Sequence, residues 1–154
     1  MKKYRPLFFV IGLLLFGCSE KNEKFSEKAI SDTLATYLRL ANEDTVPYES
    51  RLSYNKKAYA ILASQENDSL NRVNLFKVAN RYFNMNNFGE YQKTTAIIAE
   101  KAISGNDTIS IAKAYSYLGD YYATTPKRDS AYFYYSKAKK IYQKLNDKIN
   151  LGAV

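Results

Sequence analysis

DTISIAKAYSYLGDYYATTPKRDSAYFYYSKAKKIYQKLND, residues 107–147, reads as two helices joined by a turn. In its second half Ala131, Tyr134, Tyr135, Ala138, Ile141, Tyr142 and Leu145 recur every three or four positions, one apolar stripe along a helix. Ala112, Tyr115, Leu118, Gly119 and Tyr122 form the matching stripe in the first half. Thr124-Thr125-Pro126-Lys127 separates the two, because Pro126 has no backbone N–H to continue a helix. Asp129 or Ser130 is the expected cap of the second helix. No stretch alternates apolar and polar residues over a useful length, so strands are not expected.

The same stretch is framed by copies of one short pattern. Asn67-Asp68-Ser69-Leu70, Asn106-Asp107-Thr108-Ile109 and Asn146-Asp147-Lys148-Ile149 are spaced by 39 and 40 residues, and Ser31-Asp32-Thr33-Leu34 is a looser copy 36 residues earlier. Self-similarity at a fixed period marks a repeat architecture. Each Asp precedes an apolar-periodic stretch, where its carboxylate can accept the unpaired first N–H groups of a helix. Six helices are predicted, over about 32–43, 48–64, 69–85, 88–104, 108–124 and 129–145. They group into repeats at 32–64, 69–104 and 108–145, and a fourth begins at 147. The middle repeat carries Val73, Phe76, Ala79 and Phe83, then Tyr91, Thr95, Ile98, Ala99 and Ala102. The first carries Leu34, Tyr37, Leu38 and Ala41, then Leu52, Ala58, Tyr59 and Leu62.

Tyr115, Leu118, Gly119, Tyr122, Ala131, Tyr135 and Ala138 resemble, without a gap, the signature of the tetratricopeptide repeat: an aromatic, Leu-Gly, Tyr, then Ala, an aromatic and Ala. The resemblance spans roughly 32–154 and is densest over 108–145. It implies an all-α fold of stacked helix-turn-helix hairpins, about three of them, in a right-handed α-solenoid. Gly119 and Ala131 are expected to face each other where the two helices approach. Asp147, Ile149 and Leu151 open a fourth repeat that stops at Val154, so the chain is expected to be part of a longer protein. The uncapped last hairpin, with Tyr134, Ile141 and Tyr142 partly uncovered, is expected to favour self-association.

A different logic governs the first residues. A basic head, Met1-Lys2-Lys3-Tyr4-Arg5-Pro6, precedes ten apolar residues from Leu7 to Phe16, about half of what a membrane-spanning helix requires. Leu15-Phe16-Gly17-Cys18 resembles the lipobox of bacterial lipoproteins, in which the Cys is lipidated and becomes the first residue. That resemblance implies a signal peptide over 1–17, lipidation at Cys18 and a polar tether over 18–31. Ser19 in place of Asp resembles the sorting signal for the outer rather than the inner membrane. A membrane partner through the lipid anchor, in the cell envelope, follows from the resemblance.

Composition excludes much chemistry. The chain has no His and one Cys, which removes Cys/His zinc sites, Ser-His-Asp and Cys-His nucleophiles and internal disulfides. No phosphate-cradling glycine loop is present, and no cofactor, metal or catalytic residue is expected. Net charge is +8, but residues 18–111 hold 12 basic and 12 acidic side chains, so no nucleic-acid footprint is spread over the chain.

Two polar sets remain. Asn74, Lys77, Arg81 and Asn84, with Lys113, Ser116 and Asp120, occupy the faces that line the groove in the tetratricopeptide family. They read either as a solvated polar face or as a grip on a carboxylate or acidic peptide. Lys137, Lys140 and Lys144, with Lys139 and Lys148 beside them, read either as a lysine-rich outer helix face or as a dock for anionic headgroups. Tyr115, Tyr122, Tyr134, Tyr135 and Tyr142 are expected as core packing rather than a ligand cage. The resulting expectation is a lipid-anchored scaffold or adaptor that binds protein or peptide partners. The alternative is the N-terminal sensory region of a histidine kinase or transcriptional regulator built with the same repeats.

Overall fold

A computed structural model describes residues 19–154. The signal segment and the lipidation site at Cys18 lie outside the described residues. The helices are α1 Ser19–Leu40, α2 Tyr48–Ala63, α3 Ser69–Asn84, α4 Phe88–Ser104, α5 Thr108–Ala123, α6 Arg128–Lys144 and α7 Lys148–Leu151. Among the described residues there is no strand. Helices α2 to α6 begin and end within one residue of their predicted bounds.

The chain divides into two units, Met1–Thr33 and Leu34–Val154. The first, as far as it is described, is helical from Ser19, where the sequence reading puts a tether. Residues 19–31 hold no Gly or Pro and are rich in Glu and Lys, which propagate a helix readily. Asp32 consequently lies inside α1 rather than at a helix start, against expectation.

In the second unit consecutive helices pack on one another: α2 on α3, α3 on α4, α4 on α5, α5 on α6 and α6 on α7. This succession of packed neighbours is consistent with a helical repeat. The other three cap aspartates hold. Asp68, Asp107 and Asp147 accept the backbone N–H of Asn71, Ser110 and Asn150 at 2.7, 3.0 and 3.1 Å. Asn87 does the same for α4, accepting from the Glu90 N–H at 3.3 Å. Helix α6 has no side-chain cap: it starts one residue earlier than read, from Lys127, and Asp129 sits in its first turn. There the carboxylate still favours the positive end of the helix dipole.

The Asn that precedes the cap residue has its own task. Asn86, Asn106 and Asn146 adopt left-handed backbone, with φ of 56°, 52° and 53°. Around Asn106 the Asp107 N–H donates to the Ala102 carbonyl and the Asn106 N–H to the Ile103 carbonyl, at 2.9 and 3.1 Å. The same pair of bonds recurs at Asn86-Asn87 and Asn146-Asp147. These are helix stops of Schellman type, in which Asn tolerates the strained angle better than most residues. One dipeptide therefore ends one helix and opens the next.

The main core gathers Leu34, Leu38, Ala58, Leu62, Leu75, Phe76, Val78, Ala79, Tyr82, Met85, Tyr91, Ile98, Ala99 and Ala114. A second cluster, Ala112, Ala138 and Tyr142, is covered by Tyr115, Ile141, Leu151 and Val154. Tyr142 is thus 3% exposed, where the sequence reading leaves it partly uncovered. The apolar residue that closes each of the three Asn-Asp patterns lies outside the core, whereas Leu34 of the looser copy is buried in it. Leu70, Ile109 and Ile149 are 66%, 60% and 88% exposed, because the second position of each helix projects past the packed faces.

Candidate functional site

The signature residues of α5 and α6 form one packed seam. Leu118, Ala131 and Ala138 are buried. Gly119 lies against Tyr135: a Cβ on Gly119 would stand 2.5 Å from two Tyr135 ring carbons. The Tyr122 and Tyr134 rings stack at 5.4 Å, and Tyr115 meets Tyr134 at 6.0 Å. The Tyr135 hydroxyl donates to Asp120 Oδ1 at 2.8 Å, and the Tyr91 hydroxyl approaches Oδ2 at 3.5 Å. Asp120, read as part of the polar groove, is therefore engaged by tyrosines from α6 and α4. Burial first, and then the Asp120 hydrogen bond, pushes the Tyr135 hydroxyl up to about 12. Burial and the Asp120 charge raise Tyr91 as well.

The remaining groove residues are brought together in part. The Phe76 and Tyr117 rings meet edge to face at 5.2 Å, joining α3 to α5. Lys113 Nζ lies 4.7 Å from the centre of the Phe76 ring and 5.7 Å from that of Tyr117. Burial lowers the Lys113 pKa. One turn along α3, Lys77 Nζ donates to Asn74 Oδ1 at 2.9 Å. Arg81 is half-buried, its Nε makes no hydrogen bond, and burial lowers its pKa. Asn84 is exposed at the end of the same face. Ser116 turns back to its own helix, its hydroxyl donating to the Ala112 carbonyl at 3.3 Å. Lys77 and Arg81, four residues apart on α3, and Lys113 over the Phe76 ring thus make a cationic strip beside an aromatic pair, and the ion pairs of the described residues involve none of these cations.

A buried ionic knot escapes the sequence reading. Arg72, 5% exposed, donates from Nε to Asp107 Oδ2 at 2.9 Å and from Nη1 to the Asn67 carbonyl and Oδ1 at 3.1 and 2.8 Å. Asn67 Nδ2 in turn donates to the Lys101 carbonyl and Ser104 Oγ at the end of α4. Two successive copies of the Asn-Asp pattern are therefore tied to each other through one arginine. Burial raises the Asp107 pKa, but hydrogen bonds from Ser110 and the Arg72 guanidinium outweigh it and hold the carboxyl below the usual carboxylate range. Gly105 leaves room for the knot, since a Cβ there would lie 2.8 Å from Arg72 Nη1. The signal was present as an Arg five residues after Asn67, but nothing local distinguishes it from a surface Arg.

A surface depression lies at the α5–α6 turn, lined by Pro126, Lys127, Arg128, Asp129 and Ser130, with a volume of about 320 Å³. It includes no residue of the cationic strip. Among the described residues no three His, Cys, Asp or Glu side chains gather as metal ligands would, and no helix is long and apolar enough to cross a membrane. No known protein family, curated protein or solved structure matches the chain.

Proposed function

We propose that the chain is a lipid-anchored protein of tetratricopeptide-repeat type that binds protein or peptide partners as a scaffold in the cell envelope. The observation that carries the binding reading is the strip of Lys77, Arg81 and Lys113 beside Phe76 and Tyr117. Three cations without a carboxylate partner among the described residues, one with an unsatisfied Nε, favour an anionic ligand. An extended acidic peptide supplies carboxylates to the cations and side chains to the aromatic pair. The repeat reading is supported by consecutive helix packing and by Gly119 seating the Tyr135 ring. The anchor reading is supported by Leu15-Phe16-Gly17-Cys18 after a basic head.

The binding test is fluorescence anisotropy with a labelled acidic peptide. Lys77→Glu with Arg81→Glu should abolish binding and leave the helical circular dichroism unchanged; unchanged binding removes the site from consideration. The anchor is tested separately by growth on labelled fatty acid. Wild type should take up label and Cys18→Ser should not. An unlabelled wild type would show the chain to be no lipoprotein.

A further inference from the structure

Helix α6 presents an outer face with a composition unlike that of its neighbours. Over residues 130–145 it carries Lys137, Lys139, Lys140 and Lys144 and no Asp or Glu. All four lysines are exposed. None takes part in the ion pairs of the described residues. The outer lysine of α4, by contrast, is neutralised locally, with Lys93 Nζ 3.0 Å from Glu90 Oε1. On α6 two large aromatics share the basic face: Tyr132 is 77% and Phe133 50% exposed. Phe133, Lys137, Lys140 and Lys144 follow one another at helical spacing, and Lys137 Nζ lies 4.4 Å from the Phe133 ring centre. The face therefore joins uncompensated positive charge to exposed rings of the kind that settle at a headgroup layer.

We propose that the outer face of α6 is a docking surface for anionic phospholipid, on which the lysines meet headgroup phosphates and Tyr132 and Phe133 enter the interfacial layer. Charge complementarity selects this occupant. The rings favour a bilayer over a soluble acidic protein, because a purely ionic partner gives them nothing to enter. Each lysine close to an anionic surface raises partitioning about fivefold. Reversing three of them should lower it by roughly a hundredfold or more.

The chain contains no Trp, so Phe133→Trp in the full chain provides a single reporter that the N-terminal apolar segment cannot mimic. With phosphatidylglycerol vesicles its emission should shift to the blue and be quenched by brominated acyl chains. With phosphatidylcholine vesicles it should do neither. Adding Lys137→Glu, Lys140→Glu and Lys144→Glu should remove the response; Lys28→Glu, Lys56→Glu and Lys93→Glu, an equal change of charge elsewhere, should leave it. A reporter at Tyr48→Trp should stay unshifted. No blue shift on anionic vesicles, an equal shift on neutral ones, or equal loss in both triple variants would overturn the proposal. Binding to soluble polyglutamate as strong as to vesicles would also overturn it, and would assign the face to an acidic macromolecule.

Discussion

At Gly119 two residue-scale effects oppose each other. Alanine is the better helix former by about 1 kcal/mol. Its Cβ, however, would stand 2.5 Å from the Tyr135 ring, and that ring is held by its hydroxyl on Asp120. Overpacking of this kind costs roughly 1–3 kcal/mol, so Gly119→Ala should destabilise. In a Tyr135→Ala background the obstruction is gone and the same change should stabilise. Urea denaturation of the four proteins reads the sign reversal directly. Destabilisation of equal size in both backgrounds would show that the ring does not set the need for glycine.

Asn-Asx dipeptides join α3 to α4, α4 to α5 and α6 to α7, and these can be separated into their parts. Asn is as good an N-cap as Asp. Asp107→Asn therefore keeps the cap of α5 while leaving Arg72 buried without its carboxylate, at a cost of about 3 kcal/mol. Asp68→Asn, whose carboxylate has no such partner, should change stability by only a few tenths of a kcal/mol. The difference should show in thermal melts. It should also vanish in acid, because a carboxyl held below its usual range stabilises above its unfolded pKa and loses that contribution as pH falls through the folded one. For the left-handed residue, Asn106→Ala should cost about 1–2 kcal/mol and Asn106→Gly almost nothing. Equal effects of Ala and Gly would contradict the strained stop.

Across the second unit, tyrosines form much of what holds the helices together, and this governs the response of the whole molecule to alkali. Burial, with the Glu90 charge after it, pushes Tyr82 up to about 12, and burial with Asp120 does the same for Tyr135. Tyrosine in the unfolded chain ionises near 10. A raised folded pKa contributes stability that is fully present below pH 10 and lost as pH rises towards about 12. The urea midpoint should accordingly be flat up to about pH 9 and fall steeply above pH 10. Tyr135→Phe should make the fall shallower. A midpoint indifferent to pH in this range would mean that the hydroxyls titrate as freely folded as unfolded.

The helices of residues 48–145 were legible in the sequence because each rests on local information: an apolar stripe of helical period, a cap residue, a breaker at Pro126. The period near 40 was legible for the same reason, since the Asp of each of the three Asn-Asp copies caps the helix that it opens. Asp32 shows the limit of such reasoning. Its pattern matches, but the residues before it form helix, and a cap exists only where a helix begins. What lies between helices could be decided only by the tertiary structure. Gly119 seats the Tyr135 ring, Asp120 turns to tyrosines of two other helices, and Arg72 reaches Asp107 across 35 residues. The exposure of Leu70, Ile109 and Ile149 belongs here too, because an aliphatic side chain near a helix start carries no mark of whether a neighbour will cover it. Local chemistry fixes where a helix starts and stops, whereas the partner of a long side chain is set by how the helices cross, which is a property of the whole packed set.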